Sequence, residues 1–170
     1  MTPESVLLLY NYNYWAFERM WTCIMQLNDE QFTAPLEFSS GPLRNHCVHM
    51  MSATRRWMQR LQQIETSPQL VMTDYPTLVS VKTKWDALKT ETLAYLGSLD
   101  QAQLDEMVAW TLPQREVSSS NRRWEILLHV ANHCTDHRAQ VMTMLHTHFH
   151  VPTVEQDIIL YLTEKDGPVA

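Results

Sequence analysis

Residues 122–146, RRWEILLHVANHCTDHRAQVMTMLH, contain neither glycine nor proline and repeat apolar residues at helical spacing. Ile126, Val130, Val141 and Met144 fall on one face, and His133 and His137, four positions apart, fall on the same face. Two imidazoles therefore sit one turn apart on the inward side of a long helix, with His129 at the edge of the stripe. Such a pair can chelate one metal ion at about 2.0–2.1 Å per bond; the competing reading is two core histidines hydrogen-bonded to their surroundings. Trp124, Leu128 and Met142 give the helix a second apolar side. It must then be covered from two directions, and one cover is a candidate second subunit.

Three helices are predicted upstream. Thr2-Pro3-Glu4 reads as N-cap, N1 proline and first-turn acid of a helix carrying Val6, Tyr10, Phe17, Met20, Ile24 and Leu27 and ending near Asn28-Asp29. The stretch through Pro35 to Ser40 reads as a connecting loop. Ser40-Gly41-Pro42 opens a second helix, with Leu43, Cys47, Met50, Thr54, Trp57, Leu61 and Ile64 at spacings of three and four, and it stops before Pro68. A third fits Thr77 to about Leu96, with Gly97 at its end. Between Met107 and Ser120 the helical period is lost, and Val108, Trp110, Leu112 and Val117 around Pro113-Gln114 predict a small hairpin or an extended loop. Ser118-Ser119-Ser120-Asn121 supplies caps for the fourth helix, and a last short helix fits Val154 to Leu162. The whole chain, 1–170, thus reads as one all-α domain, a four-helix bundle with a short extra C-terminal helix.

Composition narrows the chemistry. A chain of 170 residues can bury a core without staples, and its glycines, at 41, 97 and 167, are too far apart for a P-loop or a dinucleotide fingerprint. Thirteen Lys+Arg against nineteen Asp+Glu give a net charge of -6, a field that repels phosphate backbones. The pairs Arg55-Arg56 and Arg122-Arg123 read as solvated surface, so no nucleic-acid partner is expected. Cys23, Cys47 and Cys134 are odd in number and lack C-x-x-C spacing, as expected of reduced thiols in a cytoplasmic protein. No basic region with a cleavable apolar segment and no run of about 18 apolar residues is present, so no membrane association is expected.

A metal site needs a third ligand. His146, His148 and His150 crowd a helix end, which leaves His46 and His49 on the second helix, and periodicity does not decide between them. Asn13 is the other anomaly, since its spacing places it among Tyr10, Phe17 and Met20 on the buried side of the first helix. It reads either as an amide fixing bundle register or as a polar group in a pocket wall near the metal. Di-iron Glu-x-x-His pairs and the zincin H-E-x-x-H are both absent.

Several blocks together carry a resemblance. Tyr12-Asn13-Tyr14-Trp15-Ala16, Pro42-Leu43-Arg44 with His49 and Trp57, His133-x-x-x-His137-Arg138-x-Gln140, and Gln156-Asp157 through Tyr161-Leu162 resemble, in order and spacing, the motifs of the DinB (YfiT-like) family. The resemblance implies an up-down-down-up four-helix bundle, usually dimeric, with one divalent metal held by three histidines. The matching positions are His49, His133 and His137, so it selects His49 over His46. Two departures, Asp136 and Ala139, fall outside the ligand positions, and Asp136 either turns toward an imidazole or faces solvent. Asn13, Asp136 and Arg138 are the candidate pocket or outer-sphere residues, and Arg138, Arg44 and Arg56 the candidate cations at its mouth.

Three neutral histidines leave an open coordination position. The resemblance implies thiol-dependent chemistry, in which a low-molecular-weight thiol is activated at the metal. Two functions follow: a metal-dependent thiol transferase or related hydrolase, and a metal-binding stress or interaction protein in which the ion is structural. Imidazole donors favour zinc or nickel, with iron, manganese and copper also admissible.

Overall fold

The computed structural model describes residues 1–166. Four long helices, α1 (Pro3–Ile24), α3 (Leu43–Leu61), α4 (Leu78–Gly97) and α6 (Arg123–Phe149), form the bundle. Both α1 and α3 pack against α6 on one side and α4 on the other, so α4 and α6 occupy opposite corners. Shorter elements connect them: α2 (Asp29–Thr33), α5 (Gln101–Asp105), the strands β1 (Met107–Leu112) and β2 (Val117–Arg122), and a terminal α7 (Ile158–Asp166).

Helix starts follow from local chemistry. Thr2 Oγ1 accepts from Ser5 N at 3.2 Å ahead of Pro3, and Thr77 Oγ1 accepts from Ser80 N at 3.1 Å to open α4. Pro35 to Ser40 is a connecting loop, but it is preceded by the short α2, which starts because Asn28 and Gln31 form a reciprocal cap. Asp100 and Gln103 do the same for α5. The core runs between the four helices through Phe17, Met20 and Ile24 of α1, Leu43, Met50 and Leu61 of α3, Val81 and Trp85 of α4, and Val130, Val141 and Met144 of α6. Phe17 and Trp85 meet edge to face at 4.1 Å between centroids.

The segment from Met107 is a hairpin. β1 and β2 pair antiparallel with Trp110 opposite Ser119, around a turn at Pro113–Arg115 that closes at Glu116 in the left-handed region, φ 52°. The serines expected to cap the fourth helix therefore lie in β2. Glu125 does that work, accepting from Arg122 N at 2.9 Å. Buried Val108 and the Arg123–Glu106 ion pair, 2.8 Å, fix the hairpin to the start of α6. No helix among the described residues is long and apolar enough to cross a membrane.

Candidate metal centre

His49 on α3 faces His133 and His137 on α6. Taking one ring nitrogen from each, the three donor atoms all lie within 4.8 Å of one another. His49 Nε2 and His133 Nε2 are 3.3 Å apart, and the rings meet at steep angles, with centroids 4.5 Å apart for His133–His137 and 4.7 Å for His49–His137. Tetrahedral coordination with bonds of about 2.0–2.1 Å puts neighbouring donors roughly 3.3 Å apart. The donor chemistry and the His49–His133 spacing thus fit a single divalent ion. No further His, Cys, Asp or Glu joins the group among the described residues.

All three rings are half-buried at the rim of the core, not sunk in its interior as the apolar stripe alone predicted. Partial burial still sets their protonation. The His133 pKa is lowered to about 4, first by desolvation and then by His137, His49, His129 and Arg115. That of His49 is lowered by the same desolvation and by His137, His46 and Arg115. Both are neutral near pH 7, with lone pairs free for a Lewis acid. His137 Nδ1 lies 2.8 Å from Gln140 Oε1. A carbonyl oxygen only accepts, so the proton sits on Nδ1 and the Nε2 lone pair is left for an ion.

His46 lies behind this cluster. It is fully buried, its ring stacks on Phe38 at 6.3 Å and meets His137 at 6.1 Å, and neither nitrogen has a hydrogen-bond partner among the described residues. The choice that periodicity left open is thus made by geometry, in favour of His49.

The residues expected around the metal divide. Asp136 is exposed and turns away to solvent, because two positions beyond Cys134 on a helix is a different face. Arg138 does not reach the pocket mouth. It is 1% exposed and points to α1, donating to Asn13 Oδ1 there, to Gln156 Oε1 at 3.3 Å in the segment that follows α6 and to Thr135 Oγ1 at 3.2 Å on α6 itself. Asn13 is buried as its spacing predicted, and this arginine is its partner. Of the other two candidate cations, Arg44 bonds Asn45, while Arg56 borders a small cavity of 60 Å³ beside His49.

A larger cavity, 410 Å³, lies between α3, α6 and the hairpin. Its walls are Trp57, Trp110, Leu112, Val117 and Ile126, with Arg115 at the hairpin turn and His129 on the side of the cluster. The His129 and His133 ring centroids are 6.1 Å apart, and Trp57 meets His129 at 5.3 Å. Arg115 and Trp110 were missed from sequence. Their roles depend on how the hairpin folds over α6, and helical periodicity says nothing about that.

A mostly helical bundle in which two long helices, α3 and α6, present three converging histidines is the class that fold and cluster define. The model of the DinB family matches residues 1–156, and the chain belongs to that family. No curated protein matches it.

Proposed function

We propose that His49, His133 and His137 hold one divalent metal ion with an open coordination position, and that the protein is a metal-dependent enzyme of the thiol-transferase type. The observation that carries the reading is the convergence of three imidazoles with no fourth ligand residue beside them among the described residues. Structural sites are usually closed by four protein ligands, whereas catalytic sites keep a position free. A bound divalent ion supplies Lewis acidity there, favouring thiolate over thiol.

The remaining work falls to side chains. Gln140 orients His137 and holds its proton on Nδ1. Arg115 contributes a positive charge that opposes protonation of His49, His129 and His133. Trp57 and Trp110 wall the adjacent cavity. Against a purely structural ion stands the core, which runs continuously through all four long helices without the three histidines.

A homodimer completes the proposal, with the outer side of α6 as its interface. Leu128 is 44% exposed there, beside half-buried Trp124. The function is tested by following consumption of a low-molecular-weight thiol in the presence of alkylating or epoxide electrophiles, with metal-loaded protein, with chelator and with His133→Ala. Turnover lost on chelation and in the variant supports it; turnover unchanged in both contradicts it.

A further inference from the structure

The 410 Å³ cavity beside the histidines has a charge pattern that specifies its occupant. Its body is apolar, with Trp57 and Trp110 meeting edge to face at 5.5 Å. Trp110 is held in place because its Nε1 donates to Asn121 Oδ1 at 3.0 Å, and Trp57 is backed by the Arg60 guanidinium, 5.0 Å from its ring. The wall is therefore built and braced.

Two charged groups border this space, and they differ. Glu125 Oε2 accepts from Arg122 N at 2.9 Å and from Asn121 Nδ2 at 3.4 Å at the start of α6, where a carboxylate is favoured. Its Oε2 is engaged in capping, at the helix end of the cavity. Arg115, on the hairpin turn, has no ion-pair or hydrogen-bond partner among the described residues. It is a free guanidinium at the border of a cavity that Trp57, Trp110 and His129 also line.

We propose that this cavity binds a small apolar, preferably aromatic, compound bearing one carboxylate, with the ring packed against the wall that Trp57 and Trp110 form and the carboxylate on Arg115. Its size lies within the range of small-molecule pockets, roughly 300–1,000 Å³. A guanidinium pairs a carboxylate bidentately, and a planar ring packs against indole faces. A cationic ligand would meet Arg115 with like charge, and a polar one would leave its groups unpaired against Leu112, Val117 and Ile126. As the site for the electrophilic partner of a thiol, the cavity rests on the metal-enzyme reading; as a binding site it does not.

The test is calorimetry with 1-naphthoate, 1-naphthamide and 1-naphthylmethylamine, using metal-free wild-type protein so that the carboxylate has no ion to bind. Naphthoate is expected to bind about tenfold or more tighter than the amide, and the amine most weakly. Arg115→Gln, at an exposed turn, should erase the preference and leave amide affinity unchanged, while Trp110→Ala should weaken both. Absence of binding by all three, or a naphthoate preference that persists in Arg115→Gln, overturns the proposal. Naphthoate binding by a wild-type protein that takes up no stoichiometric metal when it is offered would sink the metal reading and leave this site standing.

Discussion

His137 Nδ1 and Gln140 Oε1, one turn apart on α6, are 2.8 Å from each other. The amide oxygen selects the tautomer of His137 that leaves Nε2 free to coordinate. Gln140→Leu should therefore lower metal affinity by about 10–100-fold while the fold survives, and Gln140→Glu, which still accepts, should retain it. Competition with a chromogenic chelator measures this, and an unchanged affinity in Gln140→Leu would separate Gln140 from the site.

His46 and His49 are three positions apart but should behave differently. His49→Ala should weaken metal binding severely, whereas His46→Ala should keep stoichiometric metal and lose stability by about 2–4 kcal/mol, because a buried ring leaves a cavity. Metal analysis paired with urea unfolding resolves the two effects. Equal metal loss in both variants would make His46 a ligand.

Much of this site was legible because a helix converts spacing into direction. His133 and His137 at i and i+4 point the same way whatever surrounds the helix, and Asn13 had to be buried from its neighbours on α1. His49 was not legible by period, since three residues on from His46 the stripe is ambiguous. The family resemblance selected it, and the facing of α3 on α6 agrees. What stayed hidden depends on tertiary placement. Arg138 was expected near the pocket, but its side of α6 faces Phe17 and Asn13. The caps at Asn28 and Asp100 were readable in principle, but the helices they start are single turns too short to show a period.

Stability of the metal-free protein should fall in acid. The folded-state pKa values of His46, His49, His129 and His133 are all lowered from the ordinary 6.5, that of His133 to about 4, chiefly by burial. Between those limits the unfolded chain binds more protons than the folded one, so this stability is present above pH 6.5 and lost as pH falls through about 4. Thermal midpoints should drop from pH 7 to pH 5, less so in His133→Leu. A flat profile would contradict the burial of neutral imidazoles.

Arg138 and Asn13 form a buried pair that should matter to folding and not to the metal. Asn13→Leu takes one of three acceptors from a buried guanidinium, which keeps Gln156 and Thr135, and should cost about 1–3 kcal/mol, while Arg138→Met, which leaves all three neutral acceptors unpaired, should cost at least as much. Denaturant midpoints rank the two. Loss of metal in a folded Arg138→Met protein would return this arginine to the pocket.

The central claim is one divalent ion on His49, His133 and His137 with a free position, and cobalt titration tests it most directly. Metal-free protein should take up one equivalent of Co²⁺ with visible absorption bands of a four- or five-coordinate imidazole site, and added thiol should shift them through a new sulfur-to-metal band. His133→Ala and His137→Ala should show neither. Binding that is substoichiometric, unaffected by loss of these histidines or blind to thiol would contradict the account.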